Sequence, residues 1–440
     1  MSKDNAETNP KLLEIARIRL ANARGRVVKI IGLIVECEGP NAGIGELCAI
    51  EQNGKTICHA EVVGFRETRT LIMPLGPLEG IRPGMSIVAK GETLTAPVGQ
   101  QLLGRILDGM GNPIDGLGEI KCESRRSIYA SPPNAMQRMR IKEPMFTGIR
   151  AIDGFLTIGR GQRMGIFAGS GVGKSVAMGM IARNCLAKVN VIALIGERGR
   201  EVREFIEKDL GPEGLKRSVV IVATSDQPAL VRLKASLLAM SIAEFFRDLG
   251  DDVFFLMDSS TRLAMAQREI GLAVGEPPAT KGYTPSVFAF LPKLFERAGN
   301  GAQGSITALY TVLVDGDDLE DPIADCVRSI LDGHIVLSRA LANKNHYPAI
   351  DVLASISRCR SDIVKKELKE YSAILLRSLA IYRKNEDLIN IGAYAKGADQ
   401  EIDTAIKRQS AINNFLIQGI EESAQYKDTE ASMKEISEIV

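Results

Sequence analysis

The sequence predicts an α/β protein with a parallel-sheet core, preceded by a small all-β unit and followed by a helical tail. Three observations carry this. Residues 164–176 read MGIFAGSGVGKSV, an apolar run entering a glycine-rich turn that opens a helix. From about 150 to 360, near-continuous apolar runs (VNVIALIG, SVVIVAT, DVFFLMD, SITALYTVLV, HIVLS) alternate with helical patterns, as strands covered on both faces do. From 25 to about 91, short β-branched runs (VVKIIGLIVE, ICHAEVVGF, TRTLIMPL, SIVAKG) are split by Gly, Asn and Pro at close spacing, which predicts a barrel.

Taken in order, residues 10–24 (PKLLEIARIRLANAR) read as a helix with Leu12, Leu13, Ala16, Leu20 and Ala23 on one stripe. Two uses are open: docking on the next domain, or binding a partner or acidic lipid. The second draws on six basic residues against one acid between Lys11 and Lys29. The barrel is expected over 25–93 and the α/β core over 94–365, with the turn-rich stretch 95–116 as a connection. Residues 366–440 read as helices without a strand signal. At 440 residues the chain exceeds one compact core.

A formal charge of +1 gives no global field pointing to nucleic acid or membrane. Seven scattered cysteines lack C-x-x-C or zinc spacing, so neither a disulfide framework nor a metal-binding cysteine cluster is expected. No apolar run approaches the length of a membrane span. The first residues lack an apolar signal core, so a cytoplasmic protein is expected.

The turn at 168–175 fits the phosphate-binding pattern G-x-x-x-x-G-K-[ST] except that Ala168 replaces the first glycine. Ala is small enough if that position lies at the strand end, outside the tight nest. Gly169, Ser170, Gly171, Val172, Gly173, Lys174, Ser175 and Val176 would then cradle phosphates with backbone N–H groups at a helix start. Lys174 would neutralise β- and γ-oxygens, and Ser175 would ligate Mg²⁺. A chance match is on the order of a few per cent in a chain this long, so two further elements matter. FFLMDSSTR ends a strand on Asp258, a place for an acid beside Mg²⁺ or, alternatively, a helix cap. LIGERGREV puts Glu197 at another strand end, where a carboxylate polarises water or, alternatively, starts a helix. Three such elements in order point to nucleotide hydrolysis.

At GERGREV, DSSTRLAMAQREIGLAVGEPPATKGY, GDDLEDPIADCVRSILDGHIVLSR and HYPAIDVLASISR the sequence resembles the hexameric ATPases of type III protein export, relatives of the rotary ATP synthase β subunit. The resemblance implies a RecA-like, P-loop ATPase core with an N-terminal β-barrel and a C-terminal helical domain. AGSGVGKS is the loop's usual form there. It further implies ATP and Mg²⁺, Glu197 as general base, Arg198 beside it, Asp258 as strand-end acid and Arg262 near the γ-phosphate. Tyr347 of HYPAID matches the tyrosine packed on adenine. Arg358 of ASISR matches a finger supplied across a subunit interface, the alternative being an intramolecular ion pair. One chain carrying both Glu197 and Arg358 would complete its site only by self-association, as a homohexamer.

The work done is read from three features. The chain after 360 lacks the acidic segment by which the rotary β subunit contacts its shaft. Residues 25–91 hold one aromatic, Phe65, where an RNA-translocating hexamer would carry stacking residues; no nucleic acid is expected as partner. The basic N-terminal helix resembles the segment by which export ATPases bind a stator-like regulator and acidic membrane surfaces, peripherally at the inner face of the cytoplasmic membrane. The stretch LINIGAYAKGADQEID resembles the flagellar branch over the virulence injectisomes, with the export gate and chaperone-bound substrates as implied partners. A rotary synthase subunit and a nucleic-acid motor stay as alternatives.

Overall fold

The structure, a computed structural model, describes residues 23–314 and 320–439. The chain divides into two compact units, one holding the described residues up to Leu94 with Ala273–Gly275, the other Thr95–Leu272 with the chain from Glu276 onward.

The first unit is a closed antiparallel barrel. Its strands are β1 (Arg24–Ile31), β2 (Ile34–Glu38), β3 (Glu46–Gln52), β4 (Lys55–Arg66), β5 (Arg69–Pro74) and β6 (Ser86–Thr93), closed in the order β1-β2-β5-β4-β3-β6. Closure removes exposed edges, and side chains such as Val35, Ile50, Val62, Ile72 and Ile87 fill the interior at 0% exposure. β3 was not among the expected runs, because its apolar part, LCAI, is short and interrupted by glycines upstream. The expected N-terminal helix lies outside the described residues except at its end. There the expectation is corrected: Arg24 already pairs with Val88 as the first residue of β1.

The second unit is built on a mixed sheet. From one edge its strands run Ile356–Ser357, Gly333–Leu337, Arg163–Ala168, Ser305–Leu313, Asp252–Asp258, Val189–Ile195, Ser218–Ala223 and Ile106–Asp108. All neighbours along this row are parallel except the antiparallel edge strand Ile356–Ser357. The five apolar runs read from the sequence are five of the six inner strands, the sixth being the glycine-loop strand Arg163–Ala168, and Val189–Ile195 is buried at every residue. The stretch read as a connection needs correcting. Ile106–Asp108 is an edge strand of this sheet, and Thr95–Val98 pairs with Ser124–Ser127. Three residues carry no readable period, so only the partner strand makes ILD a strand.

The helix Ala229–Asp248 covers one face and brings buried charge with it. Its Glu244 accepts two bonds from Arg297, at 2.9 and 2.7 Å, and Arg297 is 2% exposed. Helices Lys366–Asn390, Gln400–Leu416 and Tyr426–Ser437 make the expected tail. They pack on the short helix Arg150–Phe155, with Phe415 edge-on to Phe155 at 6.0 Å between ring centres. Among the described residues no helix is long and apolar enough to cross a membrane.

Candidate active site

The strand Arg163–Ala168 delivers the chain to the C-terminal edge of the sheet, and helix Lys174–Asn184 leaves from it. Ala168 is the last residue of the strand and is fully buried. It therefore lies outside the tight turn, and the missing glycine costs the loop nothing. The turn itself needs glycine at 173, whose φ of 89° is left-handed. A side chain there would also meet the ring of Tyr347, at 3.4 Å from its Cβ.

Around the loop lies a cavity of about 370 Å³. Gly169, Ser170, Gly171, Gly173, Lys174, Ser175 and Val176 line it from the loop side. Val172 does not; it is turned into the core at 1% exposure. Glu197, Arg198 and Arg262 line the opposite wall. Gly196 makes that wall possible, because a Cβ on it would lie 2.7 Å from the Cβ of Arg262.

Electrostatics concentrate beneath the loop. Lys174 Nζ forms an ion pair with Asp258 Oδ1 and lies 3.8 Å from Glu197 Oε1. Asp258, at the tip of its strand and 4% exposed, also accepts a 2.6 Å bond from the Thr311 hydroxyl. Glu197 Oε1 is buried without a hydrogen-bond partner, as is Arg262 Nε. Burial first, then repulsion from Asp258, pushes the Glu197 carboxyl up to about 7, against the pull of Lys174 and Arg262. Arg198 is exposed and pairs loosely with Glu201 at 3.5 Å.

The loop, Glu197, Asp258, Arg198, Arg262 and Tyr347 thus come together, and Arg358 does not. It follows the edge strand Ile356–Ser357, where Ser357 pairs with Gly333. Its backbone N–H donates to Asp332 O at 2.9 Å, level with Arg163 at the start of the glycine-loop strand. The five-residue rise of that strand puts it roughly 17 Å from the loop. Its side chain is exposed and makes no ion pair among the described residues, so the intramolecular alternative finds no partner there.

Two residues at the site escaped the sequence reading, one beneath the cavity and one on its wall. Thr311 stands inside the run SITALYTVLV, where a hydroxyl in a buried strand is itself a signal. Glu201 lies four residues after Glu197 on the following helix, and its hydrogen bond adds to the upward push on that carboxyl.

Residues 148–357 match the nucleotide-binding domain of the ATP synthase alpha/beta family, 27–91 its beta-barrel domain, and 364–435 the T3SS EscN ATPase C-terminal domain. A flagellum-specific ATP synthase of Bacillus subtilis is 56% identical over 94% of this chain and 95% of its own length. A type 3 secretion system ATPase of Xanthomonas euvesicatoria is 51% identical over 94% of both chains. The assembled ATPase EscN of the enteropathogenic E. coli type III secretion system superposes with a TM-score of 0.90 at 45% identity, over 94% of this chain and all of EscN. In a second structure EscN is bound to its central stalk EscO, and the TM-score is 0.88. With barrel, nucleotide core and helical tail all matched, the chain belongs to the ATP synthase alpha/beta family of ATPases, in the branch that holds the flagellar and type III secretion ATPases.

Proposed function

We propose that the chain hydrolyses ATP with Mg²⁺ at the subunit interfaces of a homohexamer, and that this energises flagellar type III protein export. The observation that carries the reading is Glu197, a buried carboxylate beside the glycine loop with an oxygen that makes no hydrogen bond and a pKa raised to about 7. Such a group accepts a proton at working pH. The water oxygen bonds to the γ-phosphorus as the bond to the β–γ bridging oxygen breaks. Glu197 takes the water's proton, and ADP leaves with the electron pair.

Lys174 exchanges its carboxylate partners for β- and γ-oxygens, while the backbone N–H groups of 169–176 hold the phosphates. Arg198 and Arg262 flank the γ end, and the Tyr347 ring beside Gly173 takes the adenine. Ser175 and Asp258 are the hard oxygen donors that Mg²⁺ prefers, and the negative charge that raises Glu197 is what a cation offsets. Among the described residues no group of three or more His, Cys, Asp or Glu is placed to hold a metal ion by itself, so these two would share the ion with phosphate oxygens and water. When bound, it neutralises charge on the transferring phosphate. Arg358, out of reach of its own loop, stabilises that charge from the neighbouring subunit. A finger in trans is worth roughly 10³–10⁵ in rate, or about 4–7 kcal/mol.

The flagellar assignment rests on LINIGAYAKGADQEID and on the 56% identity to a flagellar relative. The stator-like regulator, the export gate with chaperone-bound substrates and the acidic membrane surface are proposed partners, as is peripheral placement at the cytoplasmic membrane. The test is turnover against protein concentration for wild type, Glu197→Gln and Arg358→Ala, with and without acidic liposomes or single-stranded RNA. A cooperative rise that collapses in both variants supports the ring. Concentration-independent turnover surviving Arg358→Ala removes the finger. RNA stimulation falling steeply with salt replaces the reading by a nucleic-acid motor, and a need for a second subunit type by a rotary synthase. In cells lacking a flagellar export ATPase the chain should restore swimming; restored injectisome export alone would move it to the other branch.

A further inference from the structure

We propose that Gln162, acting through Ser357 and Asp332, is a positioning residue that fixes the backbone of Arg358 for presentation to the neighbouring subunit. This rests on the reading of Arg358 as a finger supplied in trans. Gln162 is fully buried, and its carboxamide is used at both ends. Nε2 donates to Asp332 O at 3.1 Å and to Ser357 Oγ at 3.0 Å, while Oε1 accepts from the Gly159 N–H at 2.8 Å. Ser357 Oγ in turn donates to Thr157 O at 3.0 Å. The Arg358 N–H ends on the same Asp332 carbonyl that Gln162 holds, at 2.9 Å. Arg163 fixes Asp332 itself through a bidentate pair, Nε and Nη2 lying 3.0 and 3.1 Å from its carboxylate oxygens.

The edge strand carrying these contacts is only two residues long, too short to hold a register by ladder bonds alone. The buried amide supplies what the ladder lacks, and pre-organisation of a charged group matters steeply for transition-state stabilisation. The backbone of Arg358 is thereby anchored while its exposed guanidinium stays without a partner among the described residues. Gln162 also stands one residue before the strand Arg163–Ala168, whose other end carries the glycine loop. One buried strand therefore joins the phosphate site a subunit owns to the arginine it offers its neighbour.

Mixed rings test this. Full-length Glu197→Gln and Arg358→Ala chains are co-expressed with different tags and purified through both. Each is inactive alone, yet a ring containing both regains turnover where an Arg358→Ala loop meets a finger from a Glu197→Gln neighbour. Gln162→Ala is then added to one chain at a time. On the finger-giving Glu197→Gln chain it should lower the recovered kcat tenfold or more, an ångström-scale misplacement costing up to about a hundredfold, with KM for ATP unchanged. On the loop-giving Arg358→Ala chain it should change kcat less than about twofold. A structural role in the adjoining glycine-loop strand would give equal or larger losses on the loop-giving chain, and that result overturns the proposal while leaving the finger intact. A parental mixture that stays inactive overturns the finger and this proposal with it. Should Gln162→Ala fail to fold, Ser357→Ala on the finger-giving chain must reproduce the loss and Ser357→Thr must restore the rate; otherwise the proposal falls.

Discussion

At its N-terminal end the strand Arg163–Ala168 begins with one cation held by two carboxylates, Arg163 gripping Asp332 at 3.0 and 3.1 Å and pairing with Glu296. At its C-terminal end, a single cation, Lys174, serves both Asp258 and Glu197, and Glu197 Oε1 and Arg262 Nε are buried without hydrogen-bond partners. Burying charged groups with too few hydrogen bonds destabilises a fold, so the contrast assigns work to the two ends. The paired end fixes geometry. The end where two carboxylates share one lysine holds its groups in readiness for charges that a polyphosphate and its cation bring.

The largest expected break in that contrast is Glu197→Gln. Turnover should fall roughly 10³-fold, the scale of a positioned general base, while the melting temperature holds or rises because a buried carboxylate repelled by Asp258 is gone. A clear fall in melting temperature would mean that Glu197 supports the fold. Next comes Arg163→Met at the paired end. Its side chain is 14% exposed and that of Asp332 27%, so losing these charge-assisted bonds should cost about 2 kcal/mol. Thermal melts should show it as a drop that Glu197→Gln does not share.

A smaller effect is the pH profile. The groups facing Glu197 are Lys174, Asp258, Arg262 and Glu201, and together with burial they leave it raised to about 7. The base works ionised, so kcat/KM should fall about tenfold per pH unit below that value and level off above it. A profile flat down to pH 5 would place the base elsewhere. Smallest is Ala168→Gly, which restores the consensus loop. Because Ala168 ends a strand and is fully buried, ATP affinity should be unchanged and stability lower by about 0.5–1 kcal/mol.

Much of the core was legible because its signals are local. Five inner strands were continuous apolar runs, and the helical tail had helical spacing from Lys366 onward. The loop, Asp258 and Glu197 were readable as short motifs at strand ends. Glu46–Gln52 and Ile106–Asp108 were not, since a short strand acquires its identity from the partner it pairs with. Thr311, Glu201 and Gln162 were missed for a related reason. Their residue types are ordinary, and their meaning lies in the group each one meets. For Thr311 and Gln162 it is a carboxylate, a carbonyl or a hydroxyl brought in from elsewhere in the sheet, and for Glu201 the Glu197 carboxyl four residues before it.

The sequence alone determined where strands end and where the chain must turn, because side-chain period and the left-handed backbone at Gly173 are properties of adjacent residues. Only the tertiary structure decided which charges meet. Sheet order sets Ser305–Leu313 between the glycine-loop strand and the Asp258 strand, letting Thr311 reach Asp258. It buries Glu197 beside that acid, and it carries Arg358 to the far end of the sheet from its own loop. Those distances follow from long-range packing of non-consecutive strands, which no local pattern encodes.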